Sequence, residues 1–235
     1  MRNSVSALLL IALAGPLSGC DKGLNDKEMK ALQDKINQEE EKRQQDAVSN
    51  FKFALSDGVT VCMRQVKAQL GEEAKVAEIL SYFEQTERLN DASVHHPGPK
   101  PGTLTSCRVD YQDPANPQKL LRQEMQMKTG EFSAPKPLEI HVSGDAAKFN
   151  LNDHVSPIKK WNLDAVEKLV SAQSAAAEKK YSLYQIDSAT LKIDPFNGRF
   201  VIRAAGNGRL KVNDVLEHNG VTVLVDGTKV TSAFK

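Results

Sequence analysis

The sequence predicts an α+β fold, with N-terminal helices followed by a mainly antiparallel β-sheet and one packed helix. Three observations carry this. Apolar residues alternate with polar ones in several short runs, among them Leu138, Ile140 and Val142, then Ala189, Leu191 and Ile193, which is the period of a half-buried strand. One long amphipathic pattern, Trp161 to Lys180, interrupts those runs and places Leu163, Val166, Leu169, Val170, Ala176 and Ala177 on a single stripe. Asn197-Gly198 and Asn219-Gly220 supply short turns, and turns that short pair strands antiparallel.

The elements follow in chain order. Residues 24–57 contain neither Gly nor Pro and read as a helix, with Asn25 and Glu28 spaced as a capping box. Met29, Leu32 and Ile36 form an apolar stripe that lapses through residues 38–45 and resumes at Ala47, Phe51, Ala54 and Leu55. A polar middle of this kind suits a stalk or linker; as a continuous helix, residues 25–55 would reach roughly 46 Å at 1.5 Å per residue. After Gly58, Val59, Cys62, Val66 and Leu70 sit at helical spacing, although Val59-Thr60-Val61 also suits the start of a strand. Residues 72–90 read as a second amphipathic helix through Val76, Ile79, Leu80 and Phe83.

Seven of the 10 prolines lie between Pro97 and Pro137, and the run from His95 to Gly102, with three of them, cannot be helix. Strand patterns follow at Leu104–Tyr111, at Leu121 to Met127 and at Leu138 to Val142. Beyond the helix of 161–180, strands are expected around Ala189–Ile193, Phe200–Ala204, Leu210–Leu216 and Val221–Val225, with Gly206-Asn207-Gly208 read as a turn. No internal repeat is visible. The expected organisation is a cleaved segment at 1–19, a stalk at 20–57 and one α+β domain at 58–235.

The cleaved segment rests on the first twenty residues. Arg2 gives a positive start, and Val5 to Ala14 is an apolar run too short for a bilayer span, which takes about 20 residues. Leu17-Ser18-Gly19-Cys20 closes it. This stretch resembles the signal peptide and lipobox of bacterial lipoproteins, a resemblance confined to residues 1–20. It implies acylation of Cys20, removal of the residues before it, and attachment to a membrane through the lipid. Several acyl chains anchor firmly where one chain binds only marginally. Asp21 resembles an inner-membrane retention signal of Gram-negative lipoproteins, while Lys22 departs from its strongest versions. The expected location is the cell envelope, facing the periplasm, on the inner rather than the outer membrane.

Export decides how the remaining cysteines read. Cys62 and Cys107 form an even pair in an oxidising compartment, where one disulfide is the simplest outcome. Closing a loop of about 46 residues stabilises by roughly 4 kcal/mol on chain-entropy arguments.

Charge and motif content narrow the function classes. The 31 Lys and Arg balance 30 Asp and Glu, which leaves no basic excess for nucleic acid. His95-His96 are neighbours in a loop without the three or four converging ligands that a metal centre needs. His141, His154 and His218 have no local partners marking a triad. No catalytic, cofactor-binding or metal-binding residue is therefore assigned. Tyr181-Ser182-Leu183-Tyr184 suits either a binding groove or packing at the end of the last helix. The functional expectation is a membrane-anchored, non-enzymatic protein-interaction module with an envelope protein as partner. The alternatives are a hydrolase whose site is assembled from distant residues, and a module for a small ligand or lipid.

Overall fold

A computed structural model describes residues 29–38, 50–89, 99–142, 144–194 and 198–234. The lipobox with Cys20, the capping pair Asn25 and Glu28, the middle of the stalk at 39–49 and His95-His96 lie outside the described residues. The chain divides into two units, Met1–Lys42 and Arg43–Lys235. In the first, residues 29–38 form helix α1, whose Met29, Leu32 and Ile36 are all exposed. The helical pattern of 24–57 does not continue to its end. Residues 51–53 are not helical, Ala54 is extended and bridges Thr103, and Leu55–Asp57 form a 3-10 turn.

The second unit is α+β and built on a nine-stranded antiparallel sheet. After α2 (Val61–Leu70), the strands β1 (Lys75–Phe83), β2 (Leu104–Gln112), β3 (Leu120–Glu124) and β4 (Lys136–Leu138) meander outward. A short β5 (Ser156–Pro157) pairs with the start of β1. Helices α3 (Leu163–Ala172) and α4 (Ser174–Lys180) then cross the sheet. The chain returns as β6 (Tyr181–Ile193) beside β1, and meanders the other way through β7 (Phe200–Leu210), β8 (Leu216–Leu224) and β9 (Val230–Ser232). The order β4-β3-β2-β1-β6-β7-β8-β9 is thus two helix-plus-four-strand halves joined at the β1–β6 pair. That symmetry lies in the topology, where the sequence shows no repeat.

One sheet face carries the core. Ile79, Cys107, Val109, Ala189, Leu191, Ile202, Ala204, Val221 and Val223 meet Cys62, Met63 and Val66 of α2 and Val166 and Val170 of α3. The buried Ser81 on this face donates its hydroxyl to Ala189 O at 2.7 Å, which satisfies it. At the N-terminus of α2, Glu167 of α3 accepts from both the amide and the hydroxyl of Thr60, at 2.8 and 2.7 Å, and so joins the two helices. The opposite face is polar over β1–β3. There Asp110, almost fully buried, takes a two-pronged contact from Arg122 at 2.7 and 2.8 Å. A smaller cluster, Leu120, Leu151 and Val155 with Ala77 and Phe149, covers part of that face.

Further expectations fail, each with a physical reason. Residues 72–90 are not a helix, since most of that stretch is β1. The register jumps from Val76↔Tyr111 to Glu78↔Asp110, so Ala77 is an extra residue. Such a bulge moves the next core residue from i+2 to i+3, and Val76 to Ile79 then imitates a helical stripe. Gly206-Asn207-Gly208 and Asn219-Gly220 are not turns. They lie inside β7 and β8, paired as Gly206↔Asn219 and Ala205↔Gly220. The actual β7–β8 turn is at 211–213, within the stretch expected as the strand Leu210–Leu216. Other expectations hold. Asn162 caps α3 by accepting from Ala165 N, and Gly198 turns β6 into β7 with a φ of 65°. The single helix expected over 161–180 instead starts at Leu163 and divides at Gln173 into α3 and α4.

Candidate functional site: an aromatic cleft beside α4 and β6

The cleft begins with a local sequence choice. Helix α4 ends where Tyr181 turns extended, and its amide still bonds to Ala177 O. The strand that starts there points Tyr181 and Tyr184 toward the helix side of the sheet. Their rings lie over β7, and the residue beneath them is Gly208. A methyl group at Gly208 would sit 2.6 Å from Tyr181 and 2.9 Å from Tyr184. Glycine in this strand is therefore a close-approach device.

Phe234, beyond β9, completes the wall. Its ring meets Tyr184 edge-on at 5.1 Å and Tyr181 at 6.3 Å, while the two tyrosines stack at 5.3 Å. Leu55, Val170, Ile186, Ala204 and Val221 line the rest of a cleft of about 490 Å³. Ala177 and Ala204 are small and buried, which leaves room where larger side chains would fill it. Besides the tyrosines, Glu178, Ser182, Gln185 and Lys211 are the polar residues of the lining.

The tyrosine hydroxyls are occupied within the protein. Tyr184 donates to Asn219 O at 3.0 Å. Tyr181 donates to Glu217 Oε2 at 2.6 Å and accepts from Asn219 Nδ2 at 3.1 Å. Lys180 Nζ lies 2.8 Å from the same Glu217 oxygen. The Lys180 ammonium and then the Tyr181 hydroxyl hold the Glu217 carboxyl below the usual carboxylate range. Burial, with the Asp187 charge second, pushes the Tyr184 phenol up. Both phenols thus stay protonated, with their polar ends engaged and their ring carbons left to line the cleft.

Other residues singled out by the sequence do not join this site. Cys62 and Cys107 are bonded to each other, tying α2 to β2 with Cα atoms 5.6 Å apart. His141 is exposed and follows β4 instead of lying on a strand, 4.0 Å from Glu139. His154 stacks on Phe149. His218 lies on β8, with Nδ1 3.1 Å from Asn207 Oδ1 and 3.7 Å from Asp187. Among the described residues no three His, Cys, Asp or Glu side chains gather as a metal site. Sequence reasoning found the Tyr181–Tyr184 stretch but not its partners Phe234, Leu55 and Gly208. The one usable signal is the pair Gly206 and Gly208 in β-prone sequence, whose composition is equally that of a turn.

No family model and no curated protein matches the chain. Among solved structures, a candidate lipoprotein from Clostridium difficile 630 is similar over 77% of this chain and 92% of its own. The identity is 10% and the TM-score 0.41, a likeness that carries no argument about fold or activity.

Proposed function

We propose that this chain is a lipid-anchored envelope protein whose folded body binds a small apolar ligand in the aromatic cleft. The observation that carries the reading is the cleft's chemistry: apolar and aromatic walls, satisfied hydroxyls and a few polar residues, in a volume typical of small-molecule sites. Its lining supports binding over hydrolysis. Ser182, a hydroxyl of the cleft, donates to Arg209 O at 3.2 Å, and the hydroxyls of Tyr181 and Tyr184 are held by Glu217 and Asn219, away from the apolar wall.

A neutral apolar fluorophore, 1-N-phenylnaphthylamine, tests this. Saturable binding at one site per chain is expected, with at least tenfold weakening in Ala177→Phe, which fills the cleft from α4. Non-saturable binding, or equal binding by the variant, would refute the ligand reading.

The anchor rests on Leu17-Ser18-Gly19-Cys20 and the apolar run before it. Mass spectrometry of the N-terminal peptide is expected to find an acylated Cys20 as first residue, and Cys20→Ala to leave the membrane fraction. An unmodified Cys20 peptide, or one still beginning at Met1, would exclude anchoring. The inner membrane is the proposed location, on the strength of Asp21.

A second reading, docking of an envelope protein on the stalk, is supported by one specific feature. Helix α1 exposes Met29, Leu32 and Ile36 at 59%, 50% and 48%, on spacings of three and four. If that stripe seats a partner helix, Leu32→Glu with Ile36→Glu will abolish its co-purification. Unchanged co-purification would remove the stalk as the contact.

A further inference from the structure

We propose that the cleft takes one acyl chain of an anionic membrane lipid, and that the β7–β8 hairpin rests on the bilayer while it does so. This inference rests on the ligand-binding reading above and names the ligand's class and source. Three features converge at one end of the sheet.

The first is the cleft itself, whose aromatic wall offers ring carbon because its hydroxyls are bonded to Glu217 and Asn219. A polar ligand would find few free partners there, whereas an acyl chain needs none. The second is the hairpin tip. Lys211 lines the cleft and its amide bonds to Lys180 O at 3.1 Å, so the tip begins beside the cleft. The next residue, Val212, is 85% exposed, and Val215 is 51% exposed. Single exposed valines are ordinary. Two on one hairpin connection, adjoining an apolar cleft, form a surface suited to the headgroup–acyl boundary.

The third is charge. Lys180 is matched by Glu217, and Asp214 by Arg209 at 3.6 Å. Lys211 and the exposed Lys179 have no ion-pair partner among the described residues, and Glu178 is the one acid among the residues that line the cleft. The surplus is basic, and anionic headgroups attract such lysines within a Debye length. The lipid's head would sit by Lys211 and its chain run inward past Tyr184 and Phe234 toward Val221 and Ala204. The proposed anchor on Cys20 would keep the body within reach of the same surface.

The experiment uses the full-length, lipid-modified protein in proteoliposomes. One set carries phosphatidylglycerol with a photoactivatable group near the acyl end, and the other carries phosphatidylcholine labelled in the same place. After illumination, adducts are mapped by mass spectrometry. Adducts on cleft residues such as Leu183, Ile186 or Phe234 are expected. They should be at least fivefold more abundant with phosphatidylglycerol, and should fall at least fivefold in Lys211→Glu and in Val212→Glu. Ala177→Phe should abolish the cleft adducts. Ser182→Trp, at an exposed position of the cleft, repeats the block if Ala177→Phe fails to fold. Adducts confined to the hairpin tip, or equal labelling by the two lipids, would overturn the proposal. If cleft adducts are absent while the fluorophore still binds saturably, the lipid assignment fails and the ligand reading stands. If both are absent, both fail.

Discussion

Gly206→Ala is expected to destabilise the folded body by about 3 kcal/mol or more, since overpacking at this site meets backbone and has no flexible side chain to displace. An added Cβ would lie 2.0 Å from Gln185 O, 2.7 Å from Gln185 C and 2.7 Å from Ile186 Cα. All three atoms belong to β6, which pairs with Gly206 through Ile186 just before a register shift between Ile186 and Ser188. Relief therefore requires β6 and β7 to separate where they carry Tyr184 and the cleft wall. For a body of this size, such a loss corresponds to a fall in Tm of roughly 6–12 °C. Gly220→Ala should act in the same direction, with its Cβ 2.4 Å from Ala204 O on the other side of β7. Thermal unfolding followed by circular dichroism measures both. A Gly206→Ala protein melting within a degree of the parent would show that the close approach of β6 and β7 is misjudged. The fluorophore should also bind more weakly to any Gly206→Ala protein that remains folded, because the same displacement moves the cleft wall.

Removing the Cys62–Cys107 bridge is the second change expected to have a large effect. The two cysteines are 45 residues apart in sequence, and both are buried, at 0% and 2% exposure. They sit where α2 meets the centre of the first meander, and the loop between them contains all of β1. Without the bond the unfolded chain regains the freedom of that loop, worth about 4 kcal/mol in the entropic account. The paired variant Cys62→Ala with Cys107→Ala also leaves a small void in the core, which adds to the loss. Its Tm should fall by roughly 8–16 °C, by the size scaling for domains of this length. Thiol labelling of denatured, unreduced protein gives a separate check. Cys62 and Cys107 should label only after reduction. Full labelling without reduction would show that the bridge does not form, and a double-alanine variant as stable as the parent would show that it contributes nothing.

What was legible in the sequence follows from how locally it is encoded. The stripe from Leu163 to Val170 needs only a helix and a core to bury it, and α3 buries Leu163, Val166 and Val170. Alternation at Ala189 and Leu191 likewise places both on the core side of β6, at 0% exposure. Where a second element intervenes, the local pattern misleads. Ala77 belongs to a bulge defined by β2 and not by its own neighbours, and it converts a strand's period into a helix's. Gly206, Gly208 and Gly220 carry the composition of turns, yet each serves a contact with a strand or ring some 15 to 30 residues away.

The sequence by itself therefore determined the α+β class, helical structure over most of 161–180, and an even pair of cysteines after the lipobox-like start. Only the tertiary structure decided that β6 returns beside β1 to join two meanders, and that a cleft opens next to that strand. The physical reason is separation along the chain. Leu55, Val170, Tyr184, Ala204, Val221 and Phe234 share no period and no motif, and become neighbours only when a 3-10 turn, helix α3, strands β6 to β8 and the segment after β9 have packed. Binding chemistry made from such residues is a property of the assembled layers, while the periodic patterns that build the layers are written into each segment alone.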